Sequence, residues 1–385
     1  MPLNLLMINR ELRDYISTLP QREQIVVEET SSLTKKFEQF SLAPINFREK
    51  ILTITSMDSG ERCALPYELP FNVAIDPDYS QHLPITIIAS DGSQIVPDHH
   101  AGINFAVLNL ACYISSPQQT PLSETISKII NFDILGFDKI IQTEGTVNLI
   151  RDVEERNLLC EKVKLNNSKP CVCLFDGPIE LWHEPRDNPS LRDYFKMYIE
   201  SLKEIVSHSG ILAGYIDQPR SSLIVRMIEL MEIPTSRITE NRLYHPYEHI
   251  TDINLFKTLL KPGQRSPVFS IQSTSLHEYP DEISIHFFYL NVGKATPVIV
   301  RIEIPKIVAD SPELLGVMHL KLLKETNHIP GIFYPYSLLR AHELAVVTYA
   351  EREMVISQMN SQRLVNSLPL ITPSQKALAK SILRK

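Results

Sequence analysis

Two short apolar runs stop at an Asp-Gly pair: Ile85-Thr86-Ile87-Ile88-Ala89-Ser90-Asp91-Gly92-Ser93 and Cys171-Val172-Cys173-Leu174-Phe175-Asp176-Gly177. Runs this short and this apolar leave no polar face for water, so each reads as a buried strand. Asp91 then sits where its strand ends, and Gly92 lets the chain turn without a Cβ clash. A third run, Ile211 to Ile216, ends on Asp217. Helical spacing stands between the second strand and its neighbours. Val147, Ile150, Val153, Leu158 and Val163 alternate with Arg151, Asp152, Glu154, Glu155, Arg156 and Glu161, and another helix is expected over 191–208. This alternation predicts an α/β sheet with helical cover.

Carboxylates crowded without counter-charge repel, so one takes up a proton or the group binds a cation. Oxygen donors with open water positions suit Mg2+ or Mn2+. Two such ions can clamp the attacking water and the leaving oxygen of a phosphodiester in line. Asp-Gly is also a common turn dipeptide, so the signal lies in its repetition at the ends of buried strands. Other chemistries lack their motifs. There is no Gly-x-x-x-x-Gly-Lys-Ser/Thr loop, no Gly-x-Gly-x-x-Gly turn and no Gly-x-Ser-x-Gly elbow. An aspartic-protease dyad needs Asp-Thr/Ser-Gly, whereas the order here is Asp-Gly-Ser and Asp-Gly-Pro.

The rest of the chain sets limits. Its 385 residues hold one large domain with insertions or two modest ones, and 43% hydrophobic with 22% charged residues is the balance of a soluble globular protein. No stretch approaches eighteen uninterrupted apolar residues, so no membrane span is expected. Met1 to Met7 is apolar but short and lacks a basic flank, a poor signal peptide that points to the cytoplasm. The five cysteines (63, 112, 160, 171 and 173) are an odd number. Cys171 and Cys173 are read as pointing to opposite sides of one strand, and buried reduced thiols are expected rather than zinc ligands. A net charge of −7, taken alone, argues against a dedicated nucleic-acid binder, whose domain is usually basic.

Helical spacing over 8–41 is expected to break at Pro20, and 42–84 reads as a loop-rich wrapping segment. An alternating strand over 102–114 should pair antiparallel with the first, with His99 and His100 as solvated residues in the turn. Ser221 and Ser222 are placed to cap a helix through Leu230. Residues 233–280 read as an irregular insertion carrying the basic loop Lys261-Pro262-Gly263-Gln264-Arg265-Ser266. A hairpin through Gly293 joins 283–292 to 297–304, and helices are expected over 337–357 and 373–385. The organisation is an N-terminal helical arm with its wrapping segment (1–84), a core (85–355) and a helical tail (356–385). No internal repeat or low-complexity segment is present.

Ile88-Ala89-Ser90-Asp91-Gly92-Ser93, Leu174-Phe175-Asp176-Gly177, Ala213 to Ser221, Pro262 to Ser266, and Tyr334-Pro335-Tyr336-Ser337-Leu338-Leu339-Arg340-Ala341-His342-Glu343 together resemble the NurA family of DNA-repair nucleases, in that family's order and over about 85–355. The resemblance implies an RNase H-like mixed sheet and a toroidal homodimer. It also implies Mn2+- or Mg2+-dependent 5′–3′ exonuclease and single-strand endonuclease activity, with two ions. The implied partners are DNA ends and a HerA-type hexameric ATPase translocase in end resection. By position, Asp91 and Asp176 match the metal-binding aspartates. The family's glutamate lies on the helix before Asp176, so Glu154 or Glu155 supplies it; on a helical wheel Glu154 lies nearer the apolar face and Glu155 nearer the polar side. His342 matches the late histidine, and Tyr289 is chosen over Tyr215 for the family's tyrosine. Arg220, Lys261 and Arg265 are candidates for the backbone phosphates. The alternatives are a non-catalytic adaptor of the translocase that keeps the fold, and a phosphatase acting on small monoesters.

Overall fold

A computed structural model describes residues 3–57, 60–81, 84–97, 105–131, 144–181, 189–234 and 244–371; His99, His100 and the helix expected at 373–385 lie outside these residues. The chain forms two compact units, one from Met1–Asp78 and Ile216–Lys306, the other from Tyr79–Tyr215 and Ile307–Lys385. In chain order, the first unit opens with α1 (Leu5–Ser41), α2 (Pro44–Met57) and β1 (Cys63–Pro66). The second unit follows with β2 (Thr86–Ile95), β3 (Ala106–Ser115), β4 (Leu122–Ile130), α3 (Glu144–Leu165), β5 (Cys171–Asp176), α4 (Pro189–Ser207) and β6 (Gly210–Ile216). The chain returns to the first unit for α5 (Leu223–Glu232), α6 (Asp252–Leu259), β7 (Phe269–Gln272), β8 (Ile285–Asn291) and β9 (Ile299–Pro305). It closes with α7 (Lys306–Ala309), α8 (Pro312–Thr326), α9 (Tyr336–Ala345) and α10 (Tyr349–Val365).

In the second unit the strands lie in the order β6-β5-β2-β3-β4. Strands β2, β3 and β4 form an antiparallel meander, and β5 and β6 extend it by parallel pairing. This is the RNase H-like mixed sheet. Its central strands are buried on both faces, with Ile87, Ile88, Val172, Leu174, Phe175 and Leu212 all sealed from solvent. The connections β2–α3–β5 and β5–α4–β6 cover the parallel strands, as parallel pairing requires. Strand β4 escaped the sequence reading because it is largely exposed and carries no apolar alternation.

Strand β2 differs from expectation at the position that matters most. It does not end at Asp91: pairing with β3 continues through Asp91↔Ala111 and Gly92↔Leu110 to Ile95↔Val107. Only the parallel pairing with β5 stops, at Ser90↔Phe175. Asp91-Gly92 is therefore no turn but the point where β2 outruns one neighbour. A second correction concerns the thiols. Residues i and i+2 of a strand share a face, and Cys171 Sγ and Cys173 Sγ lie 3.9 Å apart in the core; all five cysteines are buried and free.

The first unit carries β1-β7-β8-β9, with β8 and β9 as the expected hairpin. Helix α1 runs through Pro20 without ending there. One lost hydrogen bond does not stop a 37-residue helix that packs through Thr30, Leu33 and Phe37. The stretches expected to be irregular contain α2, α6 and β7. Phe37, Phe71, Phe256, Phe269 and Phe287 form the aromatic core around them. Ser222 precedes α5 but its hydroxyl makes no cap. Asp252 does that work instead, its Oδ1 accepting from Ile224 N and Val225 N at 3.0 Å each. The helix expected over 337–357 is two helices, divided before Thr348, whose hydroxyl forms a capping box with Glu351. Among the described residues no helix is long and apolar enough to cross a membrane.

Candidate active site

Strands β2 and β5 bring two aspartates side by side. Extending the parallel register one residue past Ser90↔Phe175 sets Asp176 beside Asp91, on strands about 4.8 Å apart. Partners in parallel strands project to the same face, so both carboxylates point the same way. Gly177, at φ 93°, then turns the chain away, and its N–H donates to Tyr215 O at 2.8 Å. Burial raises the Asp176 carboxyl above its ordinary value; the Tyr334 hydroxyl, which donates to it, pulls it down, and the charge of Asp91 pushes it up again. Burial and the two carboxylates in turn raise the Tyr334 hydroxyl. The Tyr334 ring stands edge-on to Tyr215, at 5.4 Å between centroids, and Tyr215 donates to Phe333 O.

Helix α9 lies along the β2–β3 pair on this face. Its His342 Nδ1 is 2.7 Å from Asp91 Oδ2, with the histidine side chain 60% exposed and the aspartate 13%. Both ends of the helix are tied down. At its start, Glu325 of α8 accepts from Ser337 N and Ser337 Oγ at 2.9 and 2.7 Å. At its end, Asn109 Nδ2 and Ser93 Oγ donate to Ala345 O at 2.9 and 2.5 Å. Ser93 and Asn109 are cross-strand partners two residues from Asp91 and Ala111, so they share the face of Asp91. The sheet thereby holds the helix that carries His342 at a fixed height.

The opposite face carries Glu155. A Cβ on Gly92 would come within 2.7 Å of Glu155 Oε1. Gly92 faces away from Asp91, so α3 and α9 approach β2 from opposite sides. Glu155 is buried and held by two cations. Arg156 Nη1 donates to its Oε2 at 2.9 Å, and Arg151 Nε lies 3.0 Å from its Oε1. Burial pushes the Glu155 carboxyl up to about 8, against the pull of Arg156 and Arg151 and with a further push from Asp152 and Asp91. Arg156 is itself pinned, 3.4 Å above the Phe175 ring.

The structure thus gathers Asp91, Asp176, Glu155 and His342 in one unit. Other expected residues lie elsewhere. Glu154 pairs with Lys128 of β4 at 2.6 Å, and it is Glu155, not Glu154, that faces the core, the reverse of the helical-wheel reading. The wheel misjudged them because Arg156 forms part of the buried face, with Arg151 half-buried beside it. Tyr289 belongs to the first unit and is fully buried; its hydroxyl donates to Asp252 Oδ2 at 2.6 Å, and its ring stacks on Phe256. That is a core network and not a water-orienting group. Arg265 is also buried and committed, with Nη1 and Nη2 on Glu68 at 2.7 and 3.2 Å. Lys261 and Arg220 are exposed cations of the first unit, and Asp217 is an exposed carboxylate after β6. Sequence reasoning missed Tyr334, although it stands in the stretch that ends at His342, and it missed the two arginines as counter-ions.

The Asp91–Asp176 pair supplies adjacent hard oxygen donors whose mutual repulsion a divalent cation would relieve, so these two residues fit a metal ion. Glu155 as it stands is compensated by guanidinium groups. Among the described residues no group of three or more His, Cys, Asp or Glu converges closely enough to hold a metal ion.

In sequence, residues 85–347 match the NurA domain, and no curated protein matches. Among solved structures, NurA with manganese is 11% identical, covering 93% of this chain and 100% of that one with a TM-score of 0.47. NurA bound to dAMP and manganese is 12% identical, covering 92% and 97% with a TM-score of 0.38. Endonuclease V of Ciona intestinalis in complex with inosine-containing DNA is 10% identical, covering 68% and 83% with a TM-score of 0.34. The domain match takes in most of the chain, from β2 through α9 and with them every residue of the site, and the chain belongs to the NurA family.

Proposed function

We propose that the protein is a metal-dependent nuclease that hydrolyses DNA phosphodiesters. The observation that carries this reading is the Asp91–Asp176 pair on adjacent strands with His342 hydrogen-bonded to Asp91, in a chain of the NurA family. Asp91 and Asp176 would hold a divalent cation, Mn2+ or Mg2+. Such an ion supplies an activated water and neutralises charge on the phosphate. Tyr334 fixes the Asp176 carboxylate by hydrogen bonding and opposes the rise that desolvation imposes on it. Asp91 orients the His342 ring through Nδ1, which leaves Nε2 turned outward to take or give a proton at the scissile phosphate. Glu155, on the opposite face of β2 and engaged by Arg151 and Arg156, is not assigned to the ion.

The finer reading follows the family. Here the protein is a 5′–3′ exonuclease and single-strand endonuclease using two ions, working in the cytoplasm as a homodimer beside a HerA-type hexameric translocase during end resection. Exposed Lys261 and Arg220 contribute phosphate contacts. A second reading, the non-catalytic adaptor, is favoured by one observation, the engagement of Glu155 by two guanidinium groups. End-labelled single- and double-stranded DNA with Mn2+ separates the two. The wild type should degrade it and Asp91→Asn should not, with the circular dichroism spectrum unchanged. Equal cleavage by both proteins, or none by either, removes the nuclease assignment.

A further inference from the structure

The same helix that presents His342 ends, at its other extremity, in a stack of aromatic rings. Tyr336 opens α9, and the His328 imidazole lies flat against it, 4.7 Å between centroids at 13°. Tyr113 of β3 meets the Tyr336 ring edge-on at 6.1 Å. The two tyrosines also share a hydrogen bond, and burial raises the Tyr113 hydroxyl. The stack grades from core to surface: Tyr113 is buried, Tyr336 half-buried and His328 exposed. His328 follows directly on the end of α8, where its N–H bonds Glu325 O, and the same Glu325 side chain caps α9. An exposed ring is thus held flat against a half-buried one by the frame that positions His342.

The register places the buried end of the stack on the face that carries Asp91. Asp91 pairs with Ala111, and Tyr113 lies two residues further along β3 on the same face. Two strand residues span about 7 Å, so Tyr113 stands about that far along the sheet from Asp91, with the Tyr336 and His328 rings following beyond it. Arg340, one turn along α9 from Tyr336, places its charge near the Tyr113 hydroxyl and is paired with Glu343.

We infer that the His328–Tyr336 stack is a base-stacking platform that seats an unpaired nucleobase of a strand bound at Asp91. The inference rests on the nuclease reading for its ligand class, single-stranded DNA. A base in a duplex already has both faces stacked, so the platform selects unpaired strands. A ring fixed in advance also loses little rotamer freedom on binding, which favours stacking over an adaptable contact.

The test is binding without cleavage. A fluorescein-labelled oligo-dT is titrated with the full chain in EDTA, and anisotropy is followed across salt concentrations. His328→Ala should weaken binding about tenfold, the loss of one stacked base, with an unchanged salt slope because no phosphate contact is removed. His328→Trp should restore or exceed wild-type affinity, and binding of blunt duplex should not change. The platform is overturned if His328→Ala binds like the wild type, if His328→Trp fails to restore affinity, if the salt slope falls with the alanine change, or if the wild type does not bind the oligonucleotide at all. Because EDTA removes any metal requirement, loss of the nuclease reading in the cleavage assay leaves this result independent.

Discussion

Gly92→Ala is the substitution that most directly examines how the site is assembled. The added Cβ would stand 2.7 Å from Glu155 Oε1, 3.0 Å from Leu110 Cδ2 and 3.1 Å from Arg151 Cγ. The backbone at Gly92 is not in the left-handed region, so the objection to a side chain is one of space alone. Against an ordinary contact the carboxylate falls short by roughly 0.7 Å. It cannot retreat freely, because Arg156 holds it at 2.9 Å and is itself clamped to Phe175. Overpacking of a close-packed interior costs about 1–3 kcal/mol, and a shift that loosens a buried ion pair adds to that. A destabilisation of about 3 kcal/mol is expected in urea unfolding.

The cause is isolated by a second change. Glu155→Asp shortens the side chain by one methylene, withdraws the carboxylate from Gly92, and on its own costs about 1–2 kcal/mol of lost ion pairing. If the Glu155 carboxylate is the atom in the way, the double variant is less destabilised than the sum of the singles, with a coupling of at least about 1 kcal/mol, as expected for residues in direct contact. Additive single effects, or a Gly92→Ala variant as stable as the wild type, would refute the placement of Glu155 beneath β2.

Three further outcomes follow from the same geometry. Tyr334→Phe removes the hydrogen bond that lowers the Asp176 carboxyl, so the acid limb of the cleavage rate should move to higher pH; an unmoved limb would separate Tyr334 from Asp176. Arg265→Ala removes a buried side chain and the partner of the part-exposed Glu68 and should destabilise the fold by about 1–2 kcal/mol, seen in urea unfolding, without changing the salt slope of DNA binding; a fall in that slope would return Arg265 to the phosphates. Burial raises Asp252 to about 6 from its ordinary 3.8. Its stabilisation is present below about pH 4 and lost as pH rises through about 6, a swing of roughly 3 kcal/mol, so Asp252→Asn should flatten the wild type's fall in stability across that window.

The alternation of short apolar runs with helical patterns was enough to anticipate the parallel half of the sheet, because β5 and β6 are buried on both faces and their sequences carry that burial directly. The paired aspartates were legible for the same reason. Strand β4 was not, since an exposed edge has no apolar period to read. Helix α8 carries a start signal, Ser311 before Pro312, and the structure uses it, with Ser311 Oγ accepting from Leu314 N. Glu155 and Tyr289 show the limit of local reasoning. A wheel assigns charged residues to water, yet Glu155 and Arg156 pair inside the unit, with Arg151 bridging Glu155 and Asp152 at its edge. Tyr289 looked available on a strand until Asp252, thirty-seven residues away in sequence, turned out to hold its hydroxyl.

The extension of β2 past β5 explains why the Asp-Gly dipeptide is needed without a turn. A strand flanked on both sides has its backbone groups committed to ladder hydrogen bonds along both edges. Because β5 stops at Asp176, the edge of β2 beyond Ser90 is open. Successive residues there serve opposite faces: Asp91 receives His342 from α9, Gly92 makes room for Glu155 from α3, and Ser93 returns to hold the last carbonyl of α9. A slip of one residue in the β2–β3 register would exchange these faces at once, placing the glycine under His342 and the carboxylate against Glu155. The nine consecutive pairs from Ile87↔Ser115 to Ile95↔Val107 forbid that slip, so the long antiparallel ladder is what makes a two-faced site possible on a single strand.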